Sequence, residues 1–157
     1  MITLRAVDDR DVFRLYRWQQ HPGTRQFAHN RSTPTWDGHL QYFLSRYPDE
    51  DWLIGEVEGH AVGTISLHDV PGHGGRWISI VIAPESRGQG FGAPLLATAT
   101  RHWAGKELFA DVHENNGASQ RVFHKAGYVQ QWKRGPWLVF RPGGLATNGK
   151  PTSERRA

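Results

Sequence analysis

A turn with three glycines, at positions 88, 90 and 92, constrains the fold of this chain more than any other feature. The run before the turn alternates apolar and polar residues up to Pro84. After the turn, apolar residues recur every fourth position, which predicts a helix with one face on a sheet; they are Phe91, Leu95, Ala99 and Trp103. A helix N-terminus presents unpaired N–H groups, and glycine lets a ligand approach the backbone. The junction therefore predicts a phosphate-binding turn.

Two common phosphate motifs do not explain this turn. The P-loop requires Lys and then Ser or Thr after its last glycine, where this chain has Ala93 and Pro94. Gly88, Gly90 and Ala93 match the dinucleotide-binding fingerprint G-x-G-x-x-G/A. Asp111 also follows at a suitable distance along the chain to bind a ribose. That fingerprint opens a βαβ unit, whereas here a hairpin pattern precedes the turn and only residues 112–157 follow Asp111. Too little chain remains for the other parallel strands.

The remaining patterns predict short strands separated by helices. A strand at residues 2–7 precedes a helix capped by Asp8, and Thr35 caps a second helix. Three alternating runs then read as an antiparallel meander, because short turns join them. Beyond the glycine turn and its helix, the patterns predict one more strand, a short helix over residues 117–126 and a closing pair of strands.

Composition limits the class of protein. A length of 157 residues predicts one domain, which we place at residues 1–141, with a flexible Gly- and Pro-rich tail over residues 142–157. The chain has no cysteine, which excludes thiolate catalysis, and no apolar run long enough to span a bilayer, so we expect a cytoplasmic protein without a membrane partner. The net charge is +4, but no nucleic-acid-binding or metal-ligand motif is present, so we expect neither partner.

Two spaced motifs carry a resemblance to a known family. The turn Arg-Gly-Gln-Gly-Phe-Gly at residues 87–92 resembles the R/Q-x-x-G-x-G/A turn of the GCN5-related N-acetyltransferases (GNAT). A second family element follows in the correct order, with Asn116, Ser119, Phe123, Gly127 and Tyr128 at the matching spacings. The resemblance implies an α/β (α+β) fold with a mixed, mostly antiparallel sheet of about six to seven strands, splayed at its centre and flanked by about four helices.

The resemblance also implies the cofactor acetyl-CoA and the residues that hold it. Backbone N–H groups of the turn would bind the diphosphate, the strand at residues 80–82 would pair with the pantetheine arm, and the second motif would lie beside it. The implied cofactor-binding residues are Ile80, Val81, Ile82, Arg87, Gly88, Gln89, Gly90, Phe91, Gly92, Asn116, Ser119 and Phe123. An exposed strand edge suits the amides of pantetheine.

Acetyl transfer requires the neutral amine, which a base or a desolvating pocket must supply. A lysine-like amine costs about 4.6 kcal/mol to deprotonate at pH 7. Several relatives use a carboxylate on the strand before the Asn motif, which implies Asp111 here; His68 and Glu114 are further candidates, and His113 another. The family's tyrosine acid is replaced by Phe123, which has no proton to give, so the thiolate would leave without it or use Ser119, His124 or Tyr128.

The acceptor is sought in the predicted first two helices and their loop. Residues 17–22 read Arg-Trp-Gln-Gln-His-Pro, and they are followed by Phe27 and by the run His-Leu-Gln-Tyr-Phe at residues 39–43. This pattern resembles a sequence element of the acetyltransferases that modify nucleotide-linked amino sugars in pseudaminic acid synthesis. It implies a small-molecule amine as the acceptor, and a nucleotide-linked amino sugar in particular. The candidate acceptor residues are Arg17, Trp18, His21 and Phe27, with Arg25 and Arg31 for a diphosphate.

Other acceptors and another class of function stay open. Protein N-termini and aminoglycoside-type molecules are alternative acceptors within the same superfamily. A non-catalytic module that binds acyl-CoA is an alternative of a different class, because Phe123 stands where the family acid is expected. The sequence leaves a monomer and a homodimer equally open.

Overall fold

A computed structural model describes residues 1–144, and within that range the chain forms seven strands and four α-helices. The strands are β1 (Ile2–Ala6), β2 (Trp52–Val57), β3 (His60–Val70), β4 (His73–Ile82), β5 (Leu108–His113), β6 (Tyr128–Arg134) and β7 (Trp137–Pro142). The helices are α1 (Val12–Gln20), α2 (Trp36–Arg46), α3 (Gly92–His102) and α4 (Gly117–Lys125). The predicted fold class is confirmed. Most of the predicted tail, from residue 145, lies outside the described residues.

The helices begin where the sequence supplies caps. Asp8 and Asp11 form a capping box before α1, and the Thr35 hydroxyl accepts a hydrogen bond from the Gly38 N–H at 3.1 Å. The Asn116 side chain likewise accepts the Ser119 N–H at 3.1 Å at the start of α4. These side chains satisfy N–H groups that a helix leaves unpaired, so the helix starts follow from local sequence.

The sheet has the order β1-β2-β3-β4-β5-β7-β6 and is antiparallel except between β4 and β5. One face carries α3 and α4, whose Leu95, Leu96 and Phe123 pack in a large core with Leu53 of β2. The neighbouring residue Ile54 belongs to a second core with α1 and α2, because successive strand residues point to opposite faces. Each face of the sheet is thus covered by a helix pair.

The sheet opens between β4 and β5. These two parallel strands pair only at Arg76–Leu108 and Trp77–Phe109, and no further pairing joins them within residues 1–144. The rest of β4, from Ile78 to its end, therefore has one edge without a strand partner. This opening is the central splay that the resemblance implies. No helix in the described part of the chain has the length and apolar character to cross a membrane.

Candidate active site

A single large cavity of about 1400 Å³ occupies the opening between β4 and β5. Its walls are the second half of β4, the glycine turn, the start of α3, the inner face of β5, and α4. The loop between α1 and α2 forms the remaining wall through residues 23–29. Residues from many separate parts of the chain therefore meet at the point where the sheet separates.

The free edge of β4 presents the backbone of alternate residues to this cavity. The Ala83 N–H donates to Val62 of β3, whereas the Arg76 N–H donates to Glu107 on the β5 side. Because strand residues alternate, the backbone groups of Ile78, Ile80 and Ile82 also face the β5 side. Those of Val81, one of the three predicted contacts, face β3 instead. A ligand that adds to this edge would pair with the even-numbered residues.

The glycine turn needs glycine for two different reasons. Gly88 and Gly90 have φ values of 77° and 81°, a left-handed conformation that other residues avoid, and both line the cavity. Gly92 opens α3 in close contact with α4, since an added Cβ would lie 2.8 Å from Val122 Cγ2. Gln89 does not line the cavity, and its side-chain amide donates to the Glu85 carbonyl at 3.2 Å. The turn is thus a loop with a left-handed backbone, accessible to glycine, in front of a helix N-terminus.

The Arg87 side chain joins the glycine turn to the α1–α2 loop. Its Nη2 donates to the Thr24 hydroxyl at 2.8 Å, and its Nε donates to the Ile82 carbonyl at 3.2 Å. Its Nη1 also lies 3.4 Å from Nδ1 of His21. His21 does not line the cavity, and its Nδ1 accepts the Gly23 N–H at 3.1 Å. In this structure Arg87 and His21 therefore hold the loop in place.

Asp111 lies on β5 inside the opening and is bound by a histidine that sequence reasoning missed. Nε2 of His29, 82 residues away in the chain, is 2.8 Å from Asp111 Oδ2. The His29 ring also stacks on Trp137, with centroids 3.7 Å apart and an interplanar angle of 20°. Arg134 Nη2 donates to the same carboxylate oxygen at 3.4 Å. No local pattern around His29 predicts this long-range pair.

The other two predicted bases lie in different surroundings. His68 lines the cavity from β3, and its pKa is below the ordinary value because neighbouring protein displaces water and because Arg46 is positively charged. The residue as a whole is nevertheless exposed, so the ring remains accessible to a ligand. Glu114 does not line the cavity; it is exposed and pairs with Lys133, which lowers the pKa of the carboxyl group. The structure therefore separates Glu114 from the other two candidates.

The residues of the second motif mostly line the cavity near α4. Asn116, Ser119 and Phe123 all do so, although the Asn116 oxygen already caps the helix. The Phe123 ring is 2 % exposed and stacks on Phe140. Tyr128 is buried in the core, its hydroxyl is 2.6 Å from Thr100, and burial raises its pKa to about 12. Tyr128 does not line the cavity, so it is not placed to donate a proton there.

The predicted acceptor residues divide into two groups. The prediction for Trp18 is wrong, because its ring is 1 % exposed and packs in the core with Phe43 and Ile54. Arg17 also lies outside the cavity lining, where it pairs with Glu85 at 3.2 Å. Phe27 does line the cavity and stacks on His113, with centroids 5.6 Å apart. Helical position alone did not reveal which residues of α1 face the sheet.

The cavity lining carries far more cationic than anionic groups. Asp111 is the one carboxylate among the lining residues within positions 1–144, and two of its neighbours already contact it. The lining cationic and imidazole side chains are Arg25, Arg87, Arg121, Lys125, His29, His68, His113 and His124. Such a lining favours anionic ligands and offers few partners to a second or third ammonium group.

Comparison with known proteins places this architecture in a family. The sequence profile of the acetyltransferase (GNAT) domain matches residues 1–129. No curated relative matches the sequence significantly. The spermidine N-acetyltransferase from Vibrio cholerae, solved with CoA and spermine, is 17% identical with a TM-score of 0.72, covering 89% of this chain and 92% of that one.

Other similar structures have the same fold. The aminoglycoside acetyltransferase AAC(6')-Ib, solved with coenzyme A and kanamycin, is 18% identical with a TM-score of 0.71, covering 100% of this chain and 99% of that one. A domain from Methanocaldococcus jannaschii is 19% identical with a TM-score of 0.66, covering 89% of this chain and 96% of that one. The polyamine and aminoglycoside enzymes do not belong to pseudaminic acid synthesis. They therefore give no support to the resemblance between residues 17–43 and the amino-sugar acetyltransferases of that pathway. The profile match covers most of the described chain, and the protein therefore belongs to the GNAT acetyltransferases, enzymes that take their acetyl group from acetyl-CoA.

Proposed function

We propose that the protein transfers acetyl from acetyl-CoA directly to the primary amine of a small acceptor that is neutral or anionic apart from that amine. The observation that carries the proposal is the free edge of β4 ending at the glycine turn, inside one cavity. Pantetheine amides can add to such an edge, and a diphosphate suits the N-terminus of α3. Without cysteine in the chain, transfer through a thioester on the enzyme has no nucleophile.

The donor fits the residues that line the turn side of the cavity. The backbone N–H groups around Gly88 and Gly90 would bind the diphosphate, and Ile78 and Ile80 would pair with the pantetheine arm. Arg121 and Lys125 of α4 line the same side and supply positive charge for phosphate groups. The acetyl group would then lie near Phe123 and Asp111, which line the opening farther along the strands.

The charged side chains that line the cavity favour an acceptor that does not carry several positive charges. Spermine and kanamycin, which are present in the related structures, carry several amines, and carboxylates are the strongest side-chain partners of ammonium groups. Here Asp111 is the one carboxylate on the described lining, and it already contacts His29 and Arg134. An amino sugar, free or linked to a nucleotide, needs no acidic groove. If a nucleotide is present, Arg25 and Phe27 would contact it, because Arg17 and Trp18 do not line the cavity.

A non-catalytic acyl-CoA-binding module is the alternative of another class. It would bind coenzyme A as tightly as an enzyme does but would release no thiol in the presence of any amine. Phe123 favours this alternative, because a buried phenyl ring cannot protonate a leaving thiolate. A thiol with a pKa of about 8.5 nevertheless gives a weakly basic thiolate, which can leave without prior protonation.

The test is a parallel acceptor screen. Purified protein and acetyl-CoA are incubated with a free amino sugar, a UDP-linked amino sugar, spermidine, kanamycin and an N-terminal peptide, and acetylated products are identified by mass spectrometry. We expect a product with one of the two amino sugars and much lower kcat/KM with spermidine and kanamycin. Efficient acetylation of spermidine or kanamycin would refute the inference, drawn from the charge of the cavity lining, that the acceptor is not a polycation. Tight binding of coenzyme A without any acetylated product would favour the non-catalytic acyl-CoA-binding module.

A further inference from the structure

We propose that His29 is the general base of the acetyl transfer and that Asp111 is a positioning residue that orients its ring. The inference rests on the proposed function, because it assigns a role in proton removal from the acceptor amine. It differs from the expectation that Asp111 itself is the base. It also assigns a function to the α1–α2 loop beyond enclosing the acceptor.

The geometry fixes the tautomer of His29. A carboxylate can only accept, so the 2.8 Å contact means that Nε2–H of His29 donates to Asp111 Oδ2. In the neutral imidazole the other ring nitrogen, Nδ1, then carries a lone pair. Within residues 1–144, Nδ1 of His29 receives no hydrogen bond. The neutral ring is therefore held with its basic nitrogen available to a ligand.

Two further contacts hold the ring at the cavity. The face of the His29 ring lies on Trp137 with centroids 3.7 Å apart, which limits its rotation. The side chain nevertheless remains 59% exposed and lines the same cavity as the β4 edge and the glycine turn. A base must be both oriented and accessible, and His29 satisfies both requirements.

Asp111 is less suited to take the proton itself. Its Oδ2 accepts hydrogen bonds from His29 and from Arg134, so that oxygen is already engaged by two donors. Carboxylates in general are weak bases near neutral pH, whereas an imidazole accepts a proton readily there. The same carboxylate stabilises the imidazolium that forms when the ring accepts the proton. The arrangement resembles the orientation of a catalytic histidine by a buried aspartate in hydrolases.

The charged groups around His29 come from several elements. Asp111 and Arg134 contribute from β5 and β6, and His113 contacts Trp137 edge-on with centroids 5.2 Å apart. His68 of β3 is close enough to Asp111 for the carboxylate to act on its pKa. His68 is thus the rival imidazole, but within the described chain it forms no hydrogen bond that orients its ring. The experiment must separate these two histidines.

The proposed step conserves protons and electrons. Nδ1 of His29 removes one proton from the acceptor ammonium, and the neutral amine attacks the thioester carbonyl to form a C–N bond. The C–S bond of the tetrahedral adduct then breaks, and the sulfur leaves with the electron pair. The nitrogen loses its second proton, which reprotonates the thiolate to give CoA, and His29 releases the first proton to solvent. The step needs no oxidant or reductant.

The experiment compares histidine variants in the amine-dependent assay. H29Q keeps a side-chain N–H that can donate to Asp111 but removes the basic nitrogen. H68Q makes the same change at His68, the other candidate base. H60Q is the matched control, because His60 is exposed at the first position of β3, outside the cavity lining. For each protein, kcat/KM is measured from about pH 5.5 to 9.5, a range that spans the imidazole pKa, and the Kd of acetyl-CoA is measured by calorimetry.

We expect H29Q to lower kcat/KM by about 10²–10³-fold, the range typical of a lost general base, with acetyl-CoA affinity unchanged. The acidic limb of the wild-type pH profile should disappear in H29Q and persist in H68Q and H60Q. D111N should lower kcat/KM in the wild-type protein but add no further loss to H29Q, because Asp111 acts through the His29 ring. A merely structural role of Asp111 would lower activity in both proteins.

Chemical rescue provides an independent test. H29A leaves a space on the face of Trp137, and added imidazole should restore part of the activity in proportion to its concentration. The proposal is overturned if H29Q retains wild-type kcat/KM, if the limb disappears in H68Q instead, or if D111N removes the limb while H29Q retains it. If wild-type protein acetylates no amine at all, the proposed function fails rather than the assignment of His29.

Discussion

Replacing Gly90 with alanine tests the assignment of the glycine turn. Gly90 has a φ of 81°, and no atom lies within 4 Å of the position that an added Cβ would occupy. Alanine therefore causes no clash, but it strains the left-handed backbone by about 1–2 kcal/mol. Because the turn is exposed, the free protein can relieve this strain by changing φ, which turns the backbone N–H groups away from the cavity.

Binding must then restore the original conformation, so the strain reappears as lost affinity. A cost of about 1–2 kcal/mol corresponds to a Kd for coenzyme A that is roughly 5- to 30-fold higher. The assay is isothermal titration calorimetry with coenzyme A, accompanied by urea unfolding to verify that the fold is retained.

The chain offers a closely matched control in Gly59. It has a φ of 78°, it also has no atom within 4 Å of an added Cβ, and it lies in the β2–β3 turn outside the cavity lining. Gly59→Ala should carry the same backbone strain and leave coenzyme A affinity unchanged. Equal affinities for Gly90→Ala and the wild-type protein, or equal losses in both variants, would refute the assignment of the turn to the diphosphate.

Other contacts in the structure give three further predictions. Phe123→Tyr should leave kcat at or above the wild-type value, because the new hydroxyl supplies a proton donor beside the thioester; a lower kcat would show that the site requires the unsubstituted ring. Gly92→Val should lower the midpoint of thermal unfolding, since even the first carbon of the new side chain would lie 2.8 Å from Val122 Cγ2; an unchanged midpoint would contradict the close α3–α4 contact. Burial alone would raise the pKa of Asp11, but hydrogen bonds from Arg5 and from the Asp8 N–H lower the pKa overall. The ionised Asp11 carboxylate therefore stabilises the fold above about pH 4, and this stabilisation is lost as the pH falls through the lowered pKa. Asp11→Asn should cost about 1.5–3 kcal/mol in urea unfolding at pH 7, the range for a lost hydrogen bond to a charged group, because Arg5 then keeps Glu56 and Asp8 as its charged partners. The same change should flatten the loss of stability in acid.

Local sequence was sufficient to predict the elements and the glycine turn. The four helices have caps or glycine and proline boundaries that operate within a few residues, and the meander follows from alternation and short turns. Left-handed glycines at positions 88 and 90 follow from the same local chemistry. The fold class and the place of the glycine turn at the start of α3 could therefore be predicted from sequence patterns.

The acceptor side was not predictable in the same way. Trp18 was expected to contact an acceptor, but the burial of one helix face depends on which side of the sheet α1 covers. Glu114 was a candidate base by its proximity to Asn116 in sequence, yet it points to Lys133 rather than lining the cavity. Proximity along the chain does not determine the direction of a side chain at the end of a strand.

Periodicity, capping and glycine conformation are local properties, so the amino-acid sequence alone specifies the order of strands and helices and the left-handed glycine turn before α3. Tertiary packing sets where β4 separates from β5, and that separation brings together residues far apart in the chain. The contact of His29 with Asp111 spans 82 residues and depends on a loop folded across the sheet opening. No local energy term encodes such a contact, which arises only when packing of both helix pairs fixes the positions of the two chain segments.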